Sequence, residues 1–142
     1  MAFLVKEELK TVSDINIVNK ITNLDDEIVT DIIDESIDLM KSYLSRYYDA
    51  DAIFEKEGNE RKKSVLKKLK DIVIYEIYNR NKWGVDSSTE KSYAEAMNWL
   101  EKLNTGEFGD GTLPTKPTPG DDIDGTSGDT RFGGNKQYTS IY

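Results

Sequence analysis

The chain has 142 residues, enough for one modest core, and a net charge of −8. It holds no His and no Cys. That removes imidazole bases, thiol nucleophiles, structural zinc sites and Ser-His-Asp triads together. The negative charge also sets the whole molecule against general binding to phosphate backbones, although a local basic patch remains open.

Met1-Ala2-Phe3-Leu4-Val5 runs straight into Lys6-Glu7-Glu8, too short an apolar stretch for a signal peptide. No apolar run reaches the roughly 18 residues of a membrane span. Synthesis in the cytosol and no membrane association are expected. A short helical turn is predicted from Glu7 to Thr11, with Leu9 and Val12 inward. Asp14 is placed to cap a second short helix, Ile15 to Ile21.

The longest amphipathic pattern runs from about 25 to 48. Ile28, Val29, Ile32, Ile33, Ile37, Met40, Tyr43, Leu44 and Tyr47 recur at steps of three and four, so they share one stripe of a helix. Asn23 or Asp25 caps it, and Asp25, Asp26 and Glu27 sit where the helix dipole favours negative charge. The helical period is lost over Asp49 to Phe54, with Ile53 and Phe54 expected to fold back on the core; Gly58-Asn59 marks a turn.

A second long helix is predicted over about 60–81. Its run from Ile72 to Tyr78 is broken only by Glu76, so the helix lies either at the centre of its own bundle or against a second molecule. β-Branched residues are dense there, but length favours helix over strand. After Gly84, Ser87 and Glu90 have capping-box spacing for a third long helix, about 89–103, closed by Asn104-Thr105-Gly106. The fold class is therefore all-α: three long helices, short N-terminal ones, and a C-terminal arm.

The arm begins at 107, where composition changes. Residues 107–142 hold seven of the ten Gly and all three Pro. A body of 1–106 is thus followed by an extended linker, 107–128, and a segment, 129–142, that regains Arg131, Phe132, Tyr138, Ile141 and Tyr142. Those five residues are the candidates for docking on a partner. Gly106 to Gly111 has GxxGxG spacing, lacks the Lys-Ser/Thr of a phosphate loop and is read as a turn. Asp121-Asp122-Ile123-Asp124-Gly125 lacks the twelfth-position Glu of a calcium loop. No catalytic residue, metal or cofactor is expected.

Charge is unevenly placed. From Asp25 to Asp38 there are seven acidic residues and no basic one; from Arg61 to Lys70 there are six basic residues and no acidic one. In an antiparallel hairpin the two blocks fall at opposite ends and cannot neutralise each other. Three roles fit: a solvated face, head-to-tail pairing between copies, or phosphate contact by the Lys-rich stretch 61–70 in a small regulatory or nucleic-acid-binding module. Under head-to-tail pairing the candidate interface comprises Asp31, Asp34, Glu35 and Asp38 against Arg61, Lys62, Lys63, Lys67 and Lys70.

The order of pieces is also informative. A long helix ending Ser42-Tyr43-Leu44-Ser45-Arg46-Tyr47 precedes the Val65–Tyr78 helix and Tyr93-Ala94-Glu95-Ala96-Met97-Asn98-Trp99-Leu100-Glu101-Lys102-Leu103, closed by Gly106. With the terminal Asp129-Thr130-Arg131-Phe132-Gly133, this resembles the head-to-tail connector proteins of tailed bacteriophages, the Mu-like head-completion family in particular. The resemblance implies a virion structural protein, made in the host cytoplasm and located in the neck between capsid and tail. There it would form a ring, commonly of twelve copies, between the portal and the stopper or tail-completion protein. DNA would pass through the channel without specific binding, and the arm would dock on a neighbouring protein. The charged, Pro-free loop 49–57 and the length of the arm depart from the family pattern.

Overall fold

The computed structural model describes residues 3–80 and 84–116. Among them are five α-helices, α1 (Ile15–Ile21), α2 (Asp26–Leu44), α3 (Ala50–Phe54), α4 (Lys63–Asn79) and α5 (Ser87–Thr105), with 3-10 turns at Lys6–Thr11 and Gly58–Glu60. No strand occurs among the described residues; one isolated antiparallel bridge joins Tyr48 to Thr115.

Local chemistry sets most of the boundaries. Asp14 accepts from the Asn16 N–H to start α1, and Asp25 accepts from Glu27 N–H to start α2. The cap of α5 is Asp86, which accepts from Thr89 N–H at 2.7 Å, and not the expected Ser87–Glu90 box. The Asp86 carboxylate takes the Thr89 N–H, so the helix starts at Ser87, two residues earlier than expected. Asp49 caps α3, a helical turn where period counting finds none. Five residues are too few for periodicity to register, yet enough to carry Ile53 and Phe54 into the core as expected.

α4 is the central element, packing against α1, α2 and α5, while α2 and α5 also touch each other. Leu69, Ile72, Val73 and Ile77 are wholly buried. The apolar run that sequence left open between an own-bundle position and a second molecule is thus satisfied inside the subunit. On the α4–α5 seam the rings of Tyr75 and Tyr93 stack with centroids 3.8 Å apart. Burial there pushes the Tyr93 phenol up, aided by the nearby Glu76 charge. Phe3 and Leu4 are buried, and the Phe3 ring meets Phe54 edge-on at 4.9 Å.

The α1–α2 corner holds the two non-glycine residues with positive φ among those described, Asn23 (57°) and Leu24 (63°). The Leu24 N–H closes α1 by donating to the Asn19 carbonyl at 2.8 Å, but its side chain is 72% exposed. Little burial offsets a left-handed conformation that strains a Leu. Leu24→Gly should therefore raise stability by about 0.5–1 kcal/mol, seen as a higher midpoint in urea at unchanged m-value.

Candidate interaction surfaces

Asp31, Asp34, Glu35 and Asp38 stand at i, i+3, i+4 and i+7 of α2, and all four are exposed. This spacing lays them in one acidic stripe, opposite the side that buries Val29, Ile33, Met40 and Leu44. Among the described residues none of the four makes an ion pair or side-chain hydrogen bond. Like charges at such spacing disfavour a helix by about 0.2–0.5 kcal/mol per pair, so folding does not call for the stripe.

The basic run divides differently from the sequence expectation. Arg61 is not available to another copy, because its side chain is 14% exposed and fully engaged. Its Nε donates to the Gly58 carbonyl at 2.7 Å and its Nη1 to the Phe3 carbonyl at 2.7 Å. The guanidinium also grips Glu8 through both carboxylate oxygens, at 2.9 and 2.7 Å. That bond holds the Glu8 carboxyl below its ordinary value, against the opposing effect of burial.

Lys67 pairs with both oxygens of the buried Asp71 at 2.8 and 2.9 Å, one turn on, although its side chain remains 57% exposed. Lys70 donates to the Thr11 hydroxyl at 3.0 Å. Lys62 and Lys63 have no such partner among the described residues. The expectation that the two charge blocks do not meet inside the subunit holds, since no ion pair joins α2's stripe to the α4 run. The basic block nevertheless finds an acid elsewhere in the subunit, because the N-terminal segment supplies Glu8 to Arg61. Sequence reasoning missed this partner because nothing in local spacing links residues 53 positions apart.

The arm does not leave the body at 107. The Asp49 N–H donates to the Pro114 carbonyl at 2.9 Å and the Lys116 N–H to the Tyr47 carbonyl at 3.2 Å, while Tyr48 Oη accepts from the Asp110 N–H at 3.0 Å. Leu113 is buried on the body. The first ten residues assigned to a linker are therefore part of the folded unit, and the signal was Leu113, the single aliphatic residue between Leu103 and Ile123. Burial pushes the Asp110 carboxyl up, but the Thr112 hydroxyl and N–H, with Lys62 behind them, hold it below its usual value. The proposed docking residues Arg131, Phe132, Tyr138, Ile141 and Tyr142 lie outside the described residues.

Two open grooves flank α3. One, of about 580 Å³, has Asp38, Lys41, Asp51 and Lys116 on its walls, with Lys41 paired to Asp51 at 3.1 Å. The other, of about 430 Å³, lies at the start of α4 between Lys62, Lys63 and the Leu113–Pro114 segment. Among the described residues no group of three or more acidic side chains is placed to hold a metal ion, and no helix is long and apolar enough to cross a membrane.

No match is found among curated proteins or among solved structures. A family model described as Bacteriophage Mu, Gp36 matches residues 3–123, which takes in the whole helical body and the docked segment to Lys116. The chain accordingly belongs to the bacteriophage Mu Gp36 family, and is a phage protein of Mu-like type.

Proposed function

We propose that the protein is a non-enzymatic virion component, the head-to-tail adaptor of a tailed phage. In this reading it forms a ring, commonly of twelve copies, between the portal and the stopper or tail-completion protein, in the neck of the particle. It would assemble there after synthesis in the host cytoplasm. The observation that carries the reading is the acidic stripe on α2, which no group among the described residues satisfies and which faces away from the core. Family membership supplies the context. Of the basic residues expected at that interface, Lys62 and Lys63 make no ion pair or hydrogen bond among the described residues and are left for a neighbouring copy, and DNA would slide past an acidic wall without being held.

Imaging of the purified protein with and without portal tests this directly. A ring, or a collar on the portal, is expected, and it should weaken as ionic strength rises and the screening length falls to ~3 Å near 1 M salt. Reversing Asp31, Asp34, Glu35 and Asp38 to Lys should abolish the ring while leaving the helical spectrum unchanged. A protein that stays monomeric beside portal yet retards DNA in a gel would instead assign the lysines to nucleic acid.

A further inference from the structure

Five large apolar side chains stay exposed among the described residues, and they fall at two places. Val5, Ile17 and Leu24 lie on the N-terminal segment, α1 and the α1–α2 corner. Lys6 draws those pieces together, donating to Asn19 at 3.0 Å and to Asp26 at 2.5 Å. Tyr47 and Phe108 lie beyond the other end of α2. The Tyr47 ring rests against Gly106, where an added Cβ would stand 3.2 Å from its Oη, and Phe108 follows two residues on. The 19 residues of α2 hold the two places roughly 28 Å apart, so they cannot meet within one subunit.

Leu24 is the informative member. Its backbone is left-handed and its side chain is the most exposed of the five, whereas Gly would hold the same turn without strain. Nothing among the described residues offsets the strain of a Leu there; a surface that received it from outside would. The far end of α2 has the chemistry for that, two aromatic rings with an arginine over one of them, and Tyr and Arg are prominent among the residues that carry binding energy. The charges match as well. At the corner Asp25, Asp26 and Glu27 outnumber Lys6 and Lys20; Asp26 is paired with Lys6, and Asp25 accepts from the Glu27 N–H. The Glu27 carboxylate makes no ion pair among the described residues, and neither does Arg46. The Arg46 guanidinium lies 5.2 Å from the Tyr47 ring centroid and reaches only the Asn104 carbonyl, at 3.4 Å. Lys102 and Glu107, at the same end, offset each other in charge. We propose that Leu24 of one copy packs on Tyr47 and Phe108 of a second copy of this chain, with Glu27 meeting Arg46 across the contact. Two different surfaces of the subunit meet, so the contact is head-to-tail and can repeat around a ring. It rests on the adaptor reading above and gives that interface an apolar anchor, on the same helix as the acidic stripe.

Leu24→Gly separates the contact from the fold, because the same change steadies the subunit. Sedimentation of the full-length chain without portal should show a self-association that Leu24→Gly weakens about ten- to a hundredfold while the urea midpoint rises. Glu27→Arg and Arg46→Glu should each weaken it, and the two together should restore it. The chain has no Cys, so a nitroxide on Lys20→Cys can report where the corner sits. Carried by an isotope-free copy mixed with isotope-labelled wild type, it should broaden the amides of Arg46, Gly106 and Phe108. Association unchanged by Leu24→Gly would overturn the proposal, as would a chain that stays monomeric at every concentration. So would broadening at Lys62 and Lys63 in place of Gly106 and Phe108, which would seat the corner on the start of α4. The adaptor reading is judged separately, on portal. A collar that the Leu24→Gly chain forms as well as the wild type would end this contact and keep the adaptor. A Leu24-dependent association that ignores portal would do the reverse.

Discussion

Replacing Arg61 with alanine is expected to destabilise the fold by about 2–4 kcal/mol. One guanidinium holds three separate pieces of chain to the start of α4: the Gly58 turn, the Phe3 carbonyl of the N-terminal segment, and the Glu8 carboxylate of the first 3-10 turn. Losing it leaves two carbonyls and a half-buried carboxylate without their donor, and loosens Phe3 from Phe54. Lysine should rescue little, since a single ammonium cannot reproduce the fork that meets both Glu8 oxygens.

The pair also sets an acid limb. Glu8 titrates lower in the folded state than its ordinary value of 4.5, first because of the Arg61 hydrogen bond. Its contribution is therefore fully present above that value and lost as pH falls through the lowered folded one. Denaturant melts of the wild type and of Arg61→Ala should show it. The wild type loses stability on acidification over that window, whereas the variant starts lower and changes less. Equal acid slopes in the two proteins would show that other carboxylates carry the limb.

The second large effect concerns where the body ends. A chain of residues 1–106 should be about 1–3 kcal/mol less stable than one of residues 1–116, roughly 4–13 °C at this size. The shorter chain gives up the burial of Leu113, uncovers Tyr48, and breaks the Asp49–Pro114, Lys116–Tyr47 and Asp110–Tyr48 hydrogen bonds. The entropy released by ten residues offsets part of that gain, which is why the net figure is modest. Leu113→Ala in the intact chain should reproduce most of the loss. If 1–106 melts like 1–116, the segment 107–116 contributes nothing to the body.

The helices themselves were legible from the start. A 3.6-residue period over α2, α4 and α5, an Asp before α1 and α2, and a left-handed Gly106 after α5 are local facts, and local physics reads them. The acidic stripe was legible for the same reason: residues 31, 34, 35 and 38 share a face of any helix that contains them. The errors were local too, and small. Lys62 stands where α4 was expected to be already helical, and α3 was too short to show a period.

What the sequence determined by itself, then, was most of what depends on neighbours within about two turns: the longer helices, their faces, the caps of α1 and α2, the segregation of charge along the chain, and the family resemblance that those pieces carry in order. Tertiary structure decided which charges are spent. Whether Arg61 faces another copy or holds Glu8 depends on a contact spanning 53 positions, and whether residues 107–116 belong to an arm depends on Tyr47, Tyr48 and Asp49 lying where Lys116, Asp110 and Pro114 can reach them. Such pairings are settled by the packing of the whole bundle, which brings distant residues together without leaving a mark in the local pattern of either.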